Sequence, residues 1–311
     1  MASIDATAPK LSVVVPCYNA ASTLGTQLEA LARQEWTEPW ELIISDNNST
    51  DGSIHIASAF SDRIPGLRVV RATGKQGPAH ARNTGAAAAR AESLAFCDAD
   101  DEVAPGWIAA MGQALEEHDF VAGRWELEKL NPPWIRVTRG AGQSTGLQQY
   151  TYPHYLPHAG GSTLGVKRAL HFEIGGFDES LPVLEDTDYC WRMQLAGHRL
   201  TFVPDGVTHV RFRQATREIF GQARRYGAFN VVLYRRYQQH GMPKLHWKQG
   251  AKAWYSLFRR LPHLLDSTRR AKWIRDLGWQ LGRLEASVKC RTPVIRTRLV
   301  RPPPSLPGPS S

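Results

Sequence analysis

The sequence lacks the usual features of a secreted or membrane-spanning protein. It has 4 cysteines in 311 residues, far apart and without a C-x-x-C pair, so we expect reduced thiols. No apolar run approaches the ~20 residues that a membrane span requires. Residues 1–9 have neither a basic start nor an apolar stretch and do not predict a secretory signal. These absences favour a cytoplasmic protein.

Two glycine-rich phosphate-binding motifs are also missing. A dinucleotide-binding fold requires G-x-G-x-x-G after its first strand, and a P-loop requires G-x-x-x-x-G-K-[ST]. Here the first predicted strand is followed by Pro-Cys-Tyr-Asn at residues 16–19. Any nucleotide must therefore be bound by other means, such as an aromatic ring, a carboxylate and a metal ion.

Charge is distributed unevenly along the chain. Residues 211–311 contain 22 of the 38 Lys and Arg residues but only 4 of the 29 Asp and Glu residues, although the whole chain is only +9. Residues 1–210 are therefore net acidic. This asymmetry predicts two parts with different partners, of which the basic part is attracted to an anionic surface.

Strand-like and helix-like segments alternate in the front part of the chain. Short β-branched or apolar runs are typical of buried parallel strands, and they occur at residues 11–16, 41–45, 67–70 and 94–97. The segments between them predict helices at 19–33, 54–60 and 78–91. This order predicts an α/β fold with a mostly parallel twisted sheet and flanking helices. Ligands of such sheets bind at the carboxyl ends of the strands.

An acidic cluster follows the fourth predicted strand. Asp98 and Asp100, with Asp101 beside them, repel one another unless a cation neutralises them. Carboxylate oxygens suit Mg²⁺ or Mn²⁺, and these ions often bridge a protein to a diphosphate. An isolated Asp-x-Asp is more often a solvated turn, so its interpretation depends on the other strand ends.

Two further strand ends carry side chains suited to a nucleotide. Tyr18 follows the first strand and can stack on a base, and Asp46 follows the second and can accept a hydrogen bond from a base N–H. Each also has a purely structural interpretation, because Tyr18 suits a core and Asp46 suits a turn.

Taken in order, these motifs resemble those of family 2 glycosyltransferases with the A-type nucleotide-diphospho-sugar-binding fold. The matching stretches are VVVPCYN, IISDNNSTDG, GPAHARNTG, FCDADD, GGFDE and EDTDY, and they span residues 10–210. The resemblance implies a Rossmann-like sheet and inverting transfer of a sugar from a nucleoside diphosphate to a hydroxyl acceptor. It also implies Mn²⁺ or Mg²⁺ as cofactor.

The resemblance also implies roles for individual residues. Asp186 is the expected base that takes the proton of the acceptor hydroxyl. Acidic residues also favour helix starts, so Glu185 and Asp186 have a structural alternative at the helix predicted over 187–195. Expected metal ligands are Asp98, Asp100 and His209. Expected donor-binding residues are Pro16, Tyr18, Asn19, Asp46, Arg82, Asn83, Asp98 and Asp100.

The acceptor side departs from the family pattern. Relatives often carry Gly-x-Asn-Met-Ala where this chain has Gly-Ser-Thr-Leu-Gly at residues 161–165. The preceding stretch is rich in aromatic and histidine residues, which suits sugar stacking. We expect Glu185, Gly161 and His158 to line or position the acceptor, with His154 as a further candidate.

The back of the chain predicts basic helices. We expect a catalytic domain at 10–212, a basic α-helical region at 213–300 and a Pro-rich disordered tail at 301–311. An apolar stripe at helical spacing contains Trp247, Ala251, Trp254, Phe258, Leu261 and Leu265. A second stripe contains Trp273, Ile274, Leu277, Leu281 and Leu284.

Two interpretations of these basic helices stay open. The helices suit the interface of an anionic bilayer, which gives peripheral association with the inner face of the membrane through residues 211–300. They equally suit an annex packed on the catalytic domain. We expect no nucleic-acid partner.

We predict a metal-dependent inverting glycosyltransferase of cell-envelope or glycoconjugate synthesis. Its acceptor is a glycan, a lipid-linked molecule or a small molecule. Transfer of a single sugar is favoured because residues 222–226 end in Tyr where processive relatives have Gln-x-x-Arg-Trp. One alternative is a sugar-phosphate nucleotidyltransferase, which requires a glycine-rich loop that residues 11–24 lack. Another is a non-catalytic adaptor that binds membrane or nucleic acid through residues 211–311.

Overall fold

The chain divides into an α/β unit and a mainly helical unit. A computed structural model describes residues 8–64, 66–150, 154–243, 245–291 and 295–296. The first unit comprises Met1–Gln148 and Pro157–Phe212, and the second comprises Gln149–Leu156 and Arg213–Ser311. The main segment of the second unit begins at Arg213, and the segment Gln149–Leu156 clusters with it. The predicted tail, 301–311, lies outside the described residues.

The described strands of the first unit form one eight-stranded sheet in the order β3-β2-β1-β4-β7-β6-β8-β5. Strands β1 to β4 are mutually parallel, β7 is antiparallel to both β4 and β6, and β5 is antiparallel to β8. The strands are β1 Leu11–Cys17, β2 Trp40–Asp46, β3 Arg68–Arg71, β4 Ser93–Phe96, β5 Glu102–Val103, β6 Phe120–Glu126, β7 Leu164–Lys167 and β8 Leu200–His209.

Helices cover both faces of this sheet. Along β1, Val13 and Val15 are buried in one apolar cluster and Val14 is buried in another, because alternate side chains of a strand point to opposite faces. The helices are α1 Leu24–Ala32, α2 Ser53–Ser58, α3 Pro78–Ala88, α4 Trp107–Glu117, α5 Trp134–Arg139, α6 Arg168–Glu173 and α7 Glu185–Leu195. The predicted α/β architecture is therefore observed.

Helix α1 begins later than the sequence predicts. We expected it from residue 19, but Asn19 has a left-handed φ of 47° and the first helical residue is Leu24. The Asn19 side-chain oxygen accepts a hydrogen bond from the backbone N–H of Thr50 at 2.8 Å. Asn19 thus ties the loop after β1 to the loop after β2 instead of opening the helix.

The second unit is built mainly on helices. They are α8 Thr216–Tyr237, α9 Trp247–Arg259 and α10 Ser267–Lys289, and the two short strands β9 Leu245–His246 and β10 Ile295–Arg296 pair in parallel. Helices α8 and α10 approach closely through glycines, since a Cβ on Gly282 would lie 1.9 Å from the carbonyl oxygen of Arg224. No helix in the described ranges is both long and apolar enough to cross a membrane.

Candidate active site

The acidic turn Asp98 to Asp101 lies at the carboxyl end of β4, where α/β sheets bind ligands. Gln27 on α1 fixes the turn: its side-chain nitrogen donates to the Asp98 carbonyl oxygen at 3.1 Å, and its side-chain oxygen accepts from the N–H of Val103 at 2.9 Å. Asp98 is half-buried and Asp100 is exposed, whereas Asp101 is buried. The turn therefore presents the first two carboxylates outward.

Asp101 has a structural role, unlike Asp98 and Asp100. Its carboxylate accepts a hydrogen bond from the backbone N–H of Arg211 at 2.8 Å. The Arg211 side chain in turn donates to the Asp100 carbonyl oxygen at 3.0 Å. Burial, together with the charges of Asp98 and Asp100, raises the pKa of Asp101 well above its usual range. Asp101 anchors the chain leaving β8 to the acidic turn.

A second acidic pair opens helix α7. Leu184 has a left-handed φ of 61° and turns the chain so that Glu185 and Asp186 form the first turn. Asp186 accepts hydrogen bonds from the N–H of Thr187 at 2.7 Å and from the N–H of Gly161 at 3.1 Å. The helix dipole favours acidic residues at this end. Two backbone N–H groups, one at the helix start and one from the loop at Gly161, therefore hold the Asp186 carboxylate in place.

Arg82 joins the two acidic clusters. It lies on α3, where Gly77 and Pro78 start the helix, and its side chain is buried. One terminal nitrogen donates to Glu185 Oε1 at 3.0 Å and the other donates to Asp98 Oδ1 at 2.7 Å. The turn after β4 and the start of α7 thus meet at one guanidinium.

The charges of this cluster are strongly coupled. Burial raises the pKa values of Glu185 and Asp186, and the charge of Asp186 raises that of Glu185 further, while Arg82 works in the opposite direction. Burial alone would lower the pKa of Arg82, but Asp98 and Glu185 raise it. Arg82 is therefore a permanent cation, and Asp186 is a carboxylate with more than the usual affinity for a proton.

The predicted base-binding residues share the neighbouring strand ends. In the register of β1 and β2, Cys17 lies opposite Asp46, so Tyr18 and Asp46 are close along this edge, and Pro16 lies opposite Ser45. Tyr18 is 51% exposed, which contradicts the core alternative. Asp46 is buried and accepts a hydrogen bond from the Ser49 N–H at 3.2 Å, and it pairs with Arg71 at 3.4 Å.

The structure changes the interpretation of Asn83, which we predicted to bind the donor. Its amide oxygen accepts from the N–H of Phe177 at 2.8 Å, and its amide nitrogen donates to the Phe177 carbonyl at 2.9 Å and to Glu179 at 3.0 Å. Both ends of the amide are thus engaged with the GGFDE loop. Asp188 also acts through the fold, because it holds Arg192 at 2.7 Å and Arg192 donates to the Gly176 carbonyl at 2.6 Å.

His209 lies beside the acidic turn but is held by another residue. Pairing of β5 with β8 sets Glu102 opposite His209. The imidazole Nδ1 lies 2.5 Å from Glu126 Oε2. Burial raises the pKa of Glu126, but hydrogen bonds from His209 and from two backbone N–H groups lower it by more. Glu126 therefore orients this ring as an ionised acceptor.

The predicted three-ligand metal site is not assembled. No three His, Cys, Asp or Glu side chains gather into a metal-binding group within the part of the chain that is described. Asp98 is paired with Arg82, and His209 contacts Glu126 through Nδ1. A metal-binding histidine usually pairs its second ring nitrogen with a carboxylate, so this contact is compatible with ligation through Nε2, and His209 stays a predicted ligand. The outward carboxylates of Asp98 and Asp100 do fit Mg²⁺ or Mn²⁺, since such ions often use one or two protein carboxylates and take their other ligands from phosphate and water.

His158 differs from its prediction as an acceptor contact. Its ring is buried and packs edge-on against Trp191 with centroids 6.2 Å apart. Burial lowers the pKa of His158 to about 4. The side chain therefore serves packing as a neutral imidazole. Gly161 does lie at the site, through its N–H to Asp186. In the second unit, His154 contacts Gln149 at 3.0 Å.

Some positioning residues were missed by the sequence analysis. Gln143 is buried and bonds to the Gly160 N–H at 2.9 Å and to Thr163 Oγ1 at 2.7 Å, so it shapes the loop that contacts Asp186. Gln27 and Arg211 act in the same way on the acidic turn. The sequence does contain one indication of such a residue, because Gln27 lies among leucines on the apolar face of its helix.

The fold of the chain is similar to the folds of solved structures. The chain aligns with S. aureus TarS 1-349 in complex with UDP-GlcNAc at a TM-score of 0.53 and 17% identity, over 91% of this chain and 92% of that one. It aligns with the mannosyltransferase PcManGT from Pyrobaculum calidifontis, in complex with GDP-Man and Mn²⁺, at a TM-score of 0.58 and 20% identity. This alignment covers 91% of this chain and 76% of that one. At such identities the likeness shows the fold alone, and it confirms the A-type glycosyltransferase fold.

Family membership follows from the sequence. Residues 12–174, more than half of the chain, match the profile of glycosyl transferase family 2, so the chain belongs to this family. It is 36% identical to the uncharacterized glycosyltransferase YibD of Escherichia coli over 151 residues, which are 47% of this chain and 43% of YibD. It is 28% identical to the glycosyltransferase AglE of Haloferax volcanii over 205 residues, 65% and 67% of the two chains. The match thus spans less than half of YibD.

Proposed function

We propose that the protein transfers a single sugar from a nucleoside-diphosphate donor to a hydroxyl acceptor, with inversion at the anomeric carbon. The observation that carries the proposal is the convergence of Asp98 and Glu185 on Arg82, which brings the Asp186 carboxylate and the acidic turn to one site. Family membership supports the same chemistry.

Asp186 is the proposed general base. As the acceptor oxygen attacks the anomeric carbon, its proton passes to the Asp186 carboxylate and the bond from the sugar to the diphosphate breaks. Burial raises the pKa of Asp186, and a carboxylate of higher pKa is a stronger base. The N–H groups of Thr187 and Gly161 hold the carboxylate in a fixed orientation. Glu185, paired with Arg82, is the proposed positioning neighbour.

The donor is proposed to lie along the ends of β1, β2 and β4. Tyr18 offers a half-exposed ring for stacking on the nucleotide base, and we propose that Asp46, which is buried and pairs with Arg71 at 3.4 Å, borders the base at the neighbouring strand end. Asp98 and Asp100 would hold Mn²⁺ or Mg²⁺, which neutralises the departing diphosphate when bound. The complexes of TarS with UDP-GlcNAc and of PcManGT with GDP-Man and Mn²⁺ support a donor and an ion of these classes.

The buried position of Arg82 gives it a supporting role. Its guanidinium is shared between two carboxylates, so we propose that it positions Asp98 and Glu185 instead of gripping the diphosphate itself. Asn83 is likewise proposed as a positioning residue. These assignments replace the donor contacts that the resemblance implied.

We propose a hydroxyl acceptor, with lipid-linked molecules among the candidates, and peripheral association of the basic second unit with an anionic membrane. The segment at residues 222–226, which resembles Gln-x-x-Arg-Trp, ends in Tyr226, and this difference supports the transfer of one sugar.

A panel of UDP- and GDP-sugars tests the proposal. We expect at least one of them to raise the melting temperature in the presence of Mn²⁺ and to be consumed when acceptors are added, because ligands that bind the folded state stabilise it. A nucleotidyltransferase would instead release pyrophosphate from a nucleoside triphosphate and a sugar phosphate. A basic adaptor would show salt-sensitive binding with no sugar turnover.

A further inference from the structure

Helix α9 and the turn Leu261–Leu265 carry an apolar surface that faces solvent. Three of its side chains are largely accessible: Tyr255 is 62% exposed, Phe258 is 71% exposed and Leu265 is 88% exposed. We call this the α9 surface, and it consists of Trp254, Tyr255, Phe258, Leu261 and Leu265. The side chain of Trp247, which we predicted to extend the stripe, lies outside the described residues.

The opposite face of α9 is fixed to α10, so the exposed face is set by packing. Leu257 is buried, and the indole N–H of Trp273 donates to its carbonyl oxygen at 2.9 Å. Arg260 donates to Asp276 at 3.1 Å. With about 100° of rotation per helical residue, Phe258 lies about 100° and Tyr255 about 160° from Leu257 around the helix. Both therefore point away from α10.

A cationic strip runs directly beside the α9 surface. On the same rotation, Lys248, Arg259 and Lys252 follow Tyr255 around the helix, and all three are exposed. The guanidinium of Arg259 lies 5.9 Å from the ring centroid of Tyr255. The sequence contains no Asp or Glu from residue 219 to residue 265. A partner that this face attracts by charge is therefore anionic.

We infer that the α9 surface docks onto an anionic lipid bilayer, with its aromatic and leucine side chains in the interfacial layer and the cationic strip against the headgroups. Aromatic rings and leucines gain free energy on leaving water for that layer, and Lys and Arg gain attraction to acidic lipids. A nucleic acid would leave Phe258 and Leu265 in water. A second copy would bring one cationic strip against another. The inference specifies the surface for the proposed membrane association and is independent of sugar transfer.

Vesicle flotation of the full chain tests this inference. We expect the protein to float with vesicles that contain phosphatidylglycerol but not with pure phosphatidylcholine, and salt to weaken the binding. Phe258→Ser with Leu265→Ser, and separately Lys252→Gln with Arg259→Gln, should each lower the partition coefficient about tenfold or more. Leu284→Ser with Val288→Ser is the matched control, because both leucine and valine are exposed on α10. That pair should leave binding unchanged.

Several outcomes would overturn the inference. They are failure of the unaltered protein to float with acidic vesicles, an equal loss in the α10 control, and self-association that depends on Phe258. RNA binding through Lys252 and Arg259 without vesicle binding would also overturn it. Nucleotide-diphosphate binding by the variants, measured in parallel, separates this result from failure of the proposed sugar transfer. Circular dichroism confirms that each variant is folded.

Discussion

Arg82 lies 3.0 Å from Glu185, although 103 residues separate them in the chain. The same guanidinium reaches Asp98 at 2.7 Å, so one buried cation neutralises carboxylates from two clusters. Burying one of these charges without a partner would be strongly unfavourable. The pairing explains how the end of β4 and the start of α7 stay together.

Arg82→Met tests this pairing. We expect the free energy of unfolding to fall by about 3 kcal/mol, because Glu185 is left buried without its cation. Urea denaturation measures the change. Arg33→Met is the control, since its ion pair with Glu29 is on the surface, where solvent screens the two charges and the pair contributes little. Equal losses in the two variants would refute the structural role of Arg82.

Asp100→Asn tests the proposed metal site with little disturbance of the fold. Asp98 is the less suitable position, because its replacement also unpairs Arg82. We expect Mn²⁺ to improve the binding of UDP or GDP by the unaltered protein, and this gain to fall about tenfold in the variant. Calorimetric titrations with and without Mn²⁺ measure it, with the exposed Asp205→Asn as control. An unchanged gain would exclude Asp100 as a ligand.

Gly161→Ala tests the contact between the acceptor-side loop and the acidic cluster. A Cβ at this position would lie 2.9 Å from the Arg82 guanidinium carbon, so either the loop or Arg82 must move. Overpacking of this kind destabilises proteins by about 1–3 kcal/mol. We expect that loss together with a fall in kcat. Gly146→Ala is the matched control, because its Cβ meets nothing within 4 Å; a similar fall there would contradict our interpretation.

His171 links the stability of the first unit to pH. Burial, with the charges of Arg192 and Arg168, lowers its pKa to about 4 in the folded protein, against about 6.5 when unfolded. The unfolded chain therefore binds more protons between these values, and stability is lost as pH falls from about 6.5 towards 4.

A substitution isolates this contribution. Between pH 7 and pH 5, His171 should account for a loss of about 2 kcal/mol. We expect His171→Gln to unfold more easily at pH 7 but to lose about 2 kcal/mol less on acidification. Urea midpoints at the two pH values measure the difference, with the exposed His55→Gln as control. The same pH dependence in the unaltered protein and in His171→Gln would contradict the prediction.

Local pattern accounts for much of what the sequence predicted correctly. Strands β1 to β4 and their helices follow from short β-branched runs, and the ends of parallel strands necessarily share an edge, which brings Tyr18 close to Asp46. Leu24, Leu28 and Leu31 are spaced four and three residues apart, so they share one face of α1, and all three are buried there. These features depend on neighbours within a few residues.

The features that the sequence did not predict depend on residues distant in the chain and on backbone conformation. Nothing near Arg82 indicates that Glu185 will meet it. Asn83 was assigned its contact by resemblance and His158 by the composition of its loop, but Asn83 bonds to the GGFDE loop and the His158 ring packs against Trp191. Asn19 carries no local sign that its left-handed φ will delay α1. The stripe on α9 was visible in the sequence, but its outward orientation depends on which face packs on α10.

Asp186→Asn tests the proposed chemistry most directly. The amide keeps the size of the side chain and cannot take a proton from the acceptor, so we expect kcat to fall at least about 100-fold. Donor binding with Mn²⁺, measured by calorimetry on the same preparation, should stay within a few-fold of the unaltered protein, as in the control Asp205→Asn. Full transfer activity in Asp186→Asn, or a loss of donor binding as large as the loss of turnover, would contradict the assignment of Asp186 as the base.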